Sequence, residues 1–211
     1  MSNPANTISN MASAQTHRDD TGSKIGMWLF IFTELLFFGG LFIVYAVYRF
    51  KNPVAFHLAA EELDTAIGTL NTVVLLVSSM TVAMSVTAVQ LNQKRRAILL
   101  LLATILLALI FIVNKYFEWS AKFGHGIYPG SEILFELGKG EILFFGLYYA
   151  MTGLHALHII IGVLVLAILL SKVIRSDINS MNYIQLENGG LYWHLVDIIW
   201  IFLFPLFYLI A

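Results

Sequence analysis

Five long apolar runs constrain this chain more than any other feature of its sequence. A helix needs about 20 predominantly apolar residues to cross a bilayer. Five segments reach that length, at about 25–50, 66–92, 97–118, 140–172 and 190–210. Backbone groups must satisfy one another inside lipid, and the alternating pattern of barrel strands is missing, so each segment is expected to be helical. We therefore predict an all-α integral membrane bundle of five transmembrane helices over residues 24–211, preceded by a flexible cytoplasmic tail over residues 1–23.

Composition agrees with a membrane location and excludes several classes of protein. Hydrophobic residues make up 59% of the 211-residue chain and charged residues 12%, whereas a soluble domain carries about 25% charged residues. The net charge of −1 argues against a protein that binds nucleic acid through phosphate contacts. Because cysteine is absent, disulfide scaffolds, thiolate metal sites, iron–sulfur clusters and cysteine nucleophiles are excluded.

Lysine and arginine are distributed unevenly between the two sides of the predicted bundle. With five spans, seven basic residues fall on the side of the N-terminal tail and five on the other side. The cluster Lys94-Arg95-Arg96, which has no acidic residue beside it, lies on the richer side. Because cytoplasmic loops carry the excess of basic residues, the N-terminus is predicted to be cytoplasmic and the C-terminus to lie outside.

Glu34 lies about ten residues into the first predicted helix, near the middle of the membrane at a rise of 1.5 Å per residue. A charge at that depth costs roughly 2.5–3.5 kcal/mol on insertion scales, so the residue needs an explanation. Glu34 is either a carboxyl that exchanges protons or binds a partner, or a protonated or hydrogen-bonded group that holds two helices together.

His155 and His158 stand three residues apart on one face of the fourth predicted helix, with Thr152 one turn before them. Imidazole suits iron and copper, so one interpretation is a pair of metal or haem ligands. The other is a hydrogen-bonded pair that contacts Glu34 or another helix. A haem held by two histidines needs ligands on facing helices, and only His194 remains as an intramembrane partner.

His194 and Asp197 are also three residues apart, with Trp193 and Trp200 nearby on the last predicted helix. Such a pair either relays protons or satisfies itself and locks helix packing. Trp193, near the helix start, also fits a belt of aromatic residues at the membrane interface. Glu118, at the end of the third helix, is expected to be an interface anchor unless it faces inward.

The sequence contains no phosphate loop, zincin motif, nucleophile elbow or Ser–His–Asp arrangement. The chain therefore has no recognisable catalytic set of its own. A weak internal echo, ELLFFGG at Glu34–Gly40 and EILFFGL at Glu141–Leu147, raises the alternative of a secondary transporter with repeated halves. A membrane cytochrome that binds haem through its histidines is a further alternative.

Several segments together resemble one known family, subunit III of the haem–copper oxidases. The Glu-bearing helix WLFIFTELLFFGGLFIVYAVY and the following LNTVVLLVSSMTVAMSV are similar to consecutive helices of that family. FIVNKYFEWSAKF resembles its segment with a Glu–aromatic pair, MTGLHALHIIIG its Thr-Gly-x-His-x-x-His signature, and YWHLVDIIWIFLFPLFYLI its last helix. The resemblance runs in order from Ile25 to the C-terminus and implies a short form that matches the last five helices of the seven-helix fold.

The resemblance implies a function as well as a fold. Members of the family are non-redox subunits of a terminal oxidase, here most simply a cytochrome c oxidase of the bacterial inner membrane. They pack on subunit I beside subunit II, bind phospholipid, and support proton uptake and complex stability during oxygen reduction. Haem and copper belong to the partner subunits, and cytochrome c delivers electrons to the complex. The two absent helices would form one arm of a lipid-filled cleft. Equivalent subunits of a quinol oxidase or a nitric oxide reductase accessory protein are the nearest alternatives.

The resemblance also assigns roles to residues. Glu34 corresponds to the buried carboxyl of the family, and the other intramembrane polar residues are expected to join it in one hydrogen-bonded cluster that fixes the helix angles. These other members are Thr152, His155, His158, His194 and Asp197. Glu118, Trp193 and Trp200 are secondary candidates. No residue of this chain is expected to be catalytic, to bind a cofactor or to ligate a metal.

Overall fold

The computed structural model of this protein describes residues 20–128, 130, 131, 134 and 138–210. Six helices have defined bounds within these residues: α1 Asp20–Lys51, α2 Pro53–Glu61, α3 Thr65–Gln90, α4 Lys94–Gly124, α5 Lys139–Ile174 and α6 Ile184–Tyr208. Five of them, all except α2, are long and apolar enough to cross a membrane. The predicted all-α bundle with five spans is therefore confirmed.

Helix bounds differ from the predicted ones mainly where polar residues lie at helix ends. Helix α1 begins at Asp20, so the last four residues of the predicted tail are helical, and residues 1–19 lie outside the described part. Helix α4 continues to Gly124 rather than ending near residue 118. Helix α6 begins at Ile184 rather than near residue 190, because the polar first turns still bury Leu186 and Gly189. Hydropathy finds the lipid-crossing part of a helix and misses such extensions.

Helix α2 lies in a segment that the predicted spans leave as a loop. Pro53 occupies its first turn, where the missing N–H costs nothing. Phe56, Ala59 and Ala60 are buried, and the Phe56 ring meets Phe144 of α5 edge-on at 5.4 Å between centroids. This short helix therefore packs against the bundle instead of crossing the membrane.

Helix α6 forms the centre of the bundle and α1 its edge. In α6, 56% of the most apolar stretch is buried, against 11% in α1. Small residues allow close packing around α6: a Cβ added at Gly162 of α5 would lie 2.7 Å from the Trp193 ring. Helix α1 is attached mainly through Phe38 and Tyr45, which are fully buried, and the Tyr45 hydroxyl donates to the Leu206 carbonyl of α6.

Candidate functional site

A buried polar network joins α4, α5 and α6. The Lys115 ammonium donates to Glu118 Oε2 at 3.0 Å, to the Tyr148 hydroxyl at 3.1 Å and to the Tyr208 hydroxyl at 2.7 Å. Both tyrosine hydroxyls donate in turn to Glu118 Oε1, at 2.5 Å from Tyr148 and 2.6 Å from Tyr208. Lys115 is 4% exposed and Glu118 6%. The four side chains thus satisfy one another inside the bundle.

The network forms because residues three and four apart on a helix share a face. Lys115 and Glu118 lie on the buried face of α4, in register with Phe111 one turn earlier. The ammonium also lies over the Trp200 ring, 5.4 Å from the ring centroid, which adds a cation–π attraction. An ion pair in low dielectric offsets its desolvation only when its remaining hydrogen-bonding capacity is filled, and here the two tyrosines supply those bonds.

A cavity connects this network with one end of the bundle. It has a volume of about 270 Å³, and Glu118 and Lys122 of α4 line it together with Glu62, Asp64 and His125. Lys122 is 7% exposed and donates to the Glu62 carbonyl at 2.8 Å. Glu118 therefore belongs both to the buried network and to the wall of this cavity.

Glu34 and His158 form a second, separate polar contact. His158 Nε2 lies 3.2 Å from Glu34 Oε2, and the side chains are 13% and 21% exposed respectively. His158 Nδ1 lies 2.8 Å from the Leu154 carbonyl. Because a carbonyl oxygen only accepts, Nδ1 carries a hydrogen. The contact between Nε2 and Glu34 Oε2 then needs one further proton, which is bound either to the ring or to the carboxyl. The pair joins α1 to α5 near the side of the bundle.

His155 is enclosed by aromatic rings rather than by polar groups. It is fully buried, stacks on Trp200 at 5.1 Å between centroids and meets Phe111 edge-on at 5.7 Å. Among the residues that the structure describes, neither ring nitrogen has a hydrogen-bond partner. The hydroxyl of Thr152 is turned away from it and donates to the Tyr148 carbonyl at 2.5 Å.

The pair His194 and Asp197 is divided between different neighbours. His194 Nδ1 lies 2.6 Å from the Ser79 hydroxyl of α3. Asp197 is 3% exposed and lies near Ser79, but neither carboxyl oxygen has a partner with hydrogen-bond geometry in the described part of the chain. Within the described residues, no hydrogen bond joins His194 directly to Asp197.

The two tryptophans tie α6 to α3. Trp193 Nε1 donates to the Ser78 hydroxyl and Trp200 Nε1 to the Thr72 hydroxyl, both at 3.0 Å. Trp193 is fully buried, so its expected place in an interfacial aromatic belt is wrong. The small polar residues of α3 supply the hydroxyls that make this burial possible.

The structure corrects the expected single cluster of six polar residues. Only Glu34 and His158 meet; Thr152, His155, His194 and Asp197 have other surroundings. Glu118 is not an interface anchor, because it lies inside the bundle. Sequence reasoning missed Lys115, Tyr148 and Tyr208; the signal available was a Lys–Glu pair at helical spacing within reach of two tyrosine-bearing helices. Within the described residues, no group of three or more His, Asp or Glu side chains is placed to hold a metal ion.

Comparison with known proteins places the sequence of this chain in a family. The model of the family "Cytochrome c oxidase subunit III" matches residues 5–211. The "Heme-copper oxidase subunit I+III" of Aeropyrum pernix is 32% identical over 194 residues, which cover 89% of this chain and 22% of that protein. Two proteins named "Probable quinol oxidase subunit 3", from Staphylococcus haemolyticus and from Staphylococcus aureus strain USA300, are 26% and 25% identical over all of this chain and 98% of their own length.

This chain covers very different fractions of the lengths of these relatives. It spans about a fifth of the Aeropyrum protein, whose name joins subunits I and III, and nearly the whole of the staphylococcal proteins. The family match extends over almost the entire sequence and includes all five membrane-spanning helices. The chain therefore belongs to the cytochrome c oxidase subunit III family and is subunit III of a haem–copper oxidase.

Proposed function

We propose that this chain is a non-redox subunit of a respiratory haem–copper oxidase: it packs on the catalytic subunit, contacts lipid, and supports proton uptake and complex stability while oxygen is reduced. The observation that carries this proposal is the family match over residues 5–211. The haem and copper would belong to partner subunits I and II. The bacterial inner membrane, with the N-terminus cytoplasmic and the C-terminus periplasmic, is part of the same proposal.

The surroundings of the histidines support a role without a bound haem. His155 is fully buried, stacked on the Trp200 ring and in edge-on contact with Phe111. His158 uses both ring nitrogens, one toward Leu154 and one toward Glu34. A haem iron would have to displace these neighbours before it reached either imidazole, and this favours the oxidase subunit over a membrane cytochrome.

The transporter alternative receives little support from the two carboxyls that suggested it. Glu34 pairs with a histidine partway along α1. Glu141 instead accepts a hydrogen bond from the Gly138 N–H at 3.2 Å, as a cap at the start of α5. Since the two residues occupy unlike positions, the echo in sequence does not correspond to matched halves of a transport site.

Helix α1 is the least buried of the five membrane-spanning helices and offers an apolar surface to a partner or to lipid. Its outward residues Trp28, Phe32, Leu36 and Ile43 are each more than half exposed. An apolar surface of this kind suits either acyl chains or the helices of another membrane subunit. We propose that subunit I covers part of it.

The electron donor of the complex has two candidates. The family description names cytochrome c oxidase, and we propose this donor first. The relatives matched from end to end are named quinol oxidases, which favours a quinol as the second candidate. The nitric oxide reductase alternative differs in the electron acceptor: its complex would consume nitric oxide, whereas both oxidase candidates consume oxygen.

Purification of the tagged chain in a mild detergent tests the proposal. Mass spectrometry should identify subunits I and II with it, and the visible spectrum of the complex should contain haem. Oxygen consumption with reduced cytochrome c, compared with oxygen consumption driven by a quinol, assigns the donor. Nitric oxide consumption tests the alternative acceptor. Isolation of the chain without companions, or with its own haem absorption, would contradict the proposal.

A further inference from the structure

Three consecutive basic residues begin helix α4. Lys94, Arg95 and Arg96 are exposed, and they lie at the point where the chain enters a 31-residue membrane-spanning helix. A residue at such a position lies at the depth of lipid headgroups. Because the helix begins here without a side-chain cap, its first N–H groups add a partial positive charge to that of the side chains.

The two arginines differ from the lysine in what they bind. Lys94 Nζ donates to the Ile174 carbonyl and to the Ser176 hydroxyl, both at 2.7 Å, and so neutralises the end of α5. Arg96 Nη1 donates to the Gln93 side chain at 2.8 Å. Within the described residues, neither Arg95 nor Arg96 has a carboxylate partner. Two guanidinium groups thus remain available to an anion.

An apolar groove begins directly below these groups, between α3 and α4. It has a volume of about 340 Å³ and is lined by Ala83, Met84, Thr87, Ala88, Leu91, Gln93, Arg96 and Leu100. The groove exists because α3 presents the small side chains of Ala83 and Ala88 where larger ones would fill the space. Gln93 and Arg96 also line a shallow depression formed by residues 92–96. Arg96 therefore lies at the basic end of the apolar groove, and Arg95 lies beside it in the depression.

We propose that this surface binds an anionic phospholipid, with the phosphate on Arg95 and Arg96 and one acyl chain along the groove between α3 and α4. The charge of the arginines requires an anion, and the groove below requires an apolar chain attached to it. A guanidinium group matches a phosphate through two parallel hydrogen bonds. The site assigns a location to the lipid contact in the proposed function, and it rests on that part of the proposed function. It lies on the α3–α4 hairpin.

Lipid titration of the intact chain, or of its complex, tests the site by native mass spectrometry. Delipidated protein is mixed with phosphatidylglycerol or with phosphatidylcholine of the same acyl chains. We expect phosphatidylglycerol to bind more tightly, and Arg95→Gln/Arg96→Gln to weaken it by about five-fold for each arginine removed. The matched control, Arg49→Gln/Lys51→Gln, removes two basic residues from the end of α1 and should leave this binding unchanged.

Two further variants separate the parts of the site. Arg95→Lys/Arg96→Lys keeps the charge and the membrane orientation of the chain but loses the paired hydrogen bonds of the guanidinium groups. It should bind phosphatidylglycerol more weakly than the unmodified protein and more tightly than the glutamine variant. Ala83→Phe fills the groove and should weaken both lipids, whereas Ala150→Phe on the exposed face of α5 should weaken neither. Equal affinity for the two lipids in the unmodified protein would overturn the site, as would equal losses in the glutamine variants and their control. The assay needs no electron transfer, so its failure is distinct from a failure to recover oxidase subunits.

Discussion

The ammonium group of Lys115 lies 3.0 Å from the carboxylate of Glu118, one turn further along α4, and each side chain is 4% exposed. Two opposite charges thus share the interior of a membrane bundle with two tyrosine hydroxyls. Desolvation of isolated ions is expensive, and the complete set of hydrogen bonds from Tyr148 and Tyr208 makes the pair tolerable. The pair consequently serves to fix α4 against α5 and α6.

Breaking the ion pair on one side should destabilise the bundle strongly. Lys115→Met leaves Glu118 without its cation, and loss of one partner of a buried pair costs about 3–5 kcal/mol. The double variant Lys115→Met/Glu118→Leu should recover part of this loss. Unfolding in detergent, followed by circular dichroism, measures both. Lys24→Met is the control, because its pair with Glu187 is 41% and 32% exposed and contributes less than about 1 kcal/mol. Equal effects at Lys24 and Lys115 would contradict the assignment.

The buried hydroxyls of Tyr148 and Tyr208 should contribute more to the free energy of unfolding than an exposed tyrosine hydroxyl does. Tyr148→Phe and Tyr208→Phe each remove a hydrogen bond to the Glu118 carboxylate, and bonds to a charged group are worth about 1.5–3 kcal/mol. Tyr116→Phe, at a side chain that is 68% exposed, should change the free energy of unfolding little. The prediction fails if all three substitutions have the same effect on unfolding.

The packing of Trp193 against α5 depends on the absence of a side chain at one position. In Gly162→Ala, the new Cβ would lie 2.7 Å from the Trp193 ring, which is fully buried, so a loss of about 1–3 kcal/mol is expected. Gly146→Ala lies on the same helix with nothing within 4 Å and should be neutral or gain up to about 1 kcal/mol from helix propensity. Thermal denaturation of the two variants in parallel provides the measurement. A tolerated alanine at 162 would show that the helices separate readily here.

Loss of the Glu34 carboxyl should loosen assembly more than it slows electron transfer. Glu34→Ala removes the contact with His158 that links the largely exposed α1 to α5. We expect less of the chain to be retained with its partner subunits after detergent purification, at similar oxygen consumption per haem of the complexes recovered. The neighbouring Thr33→Ala is the control, since that hydroxyl bonds only within its own helix. Unchanged retention of the Glu34 variant would count against a role in assembly.

The predicted orientation can be tested without a background signal, because the chain contains no cysteine. Single cysteines at Gln93 and Asn179 should be labelled by a membrane-impermeant maleimide only from the cytoplasmic side. Cysteines at Glu61 and His125 should be labelled only from the other side. Labelling of right-side-out and inverted vesicles makes the comparison, and the opposite pattern would reverse the orientation argued from the basic residues.

Sequence alone was sufficient for the number and the helical nature of the spans. Each run must be apolar over about 20 residues to exist in lipid, and each must be helical to satisfy its backbone. The same local rule is less accurate at helix ends, where it predicted α4 and α6 too short. It also missed α2, because the burial of Phe56 and Ala60 depends on neighbours distant in the sequence. The family resemblance, carried by local motifs, was confirmed by the comparisons.

Tertiary structure decided which intramembrane polar groups meet. The sequence places His155 and His158 on one helix, but the rotation of α5 against α1 and α6 directs His158 to Glu34 and His155 to Trp200. Lys115 lies within the predicted third span, but only the packing of three helices shows that it contacts Tyr148 and Tyr208. The physical reason is that hydrophobicity is a property of each segment, whereas the partner of a buried charge depends on helix rotation and depth, which only the assembled bundle determines.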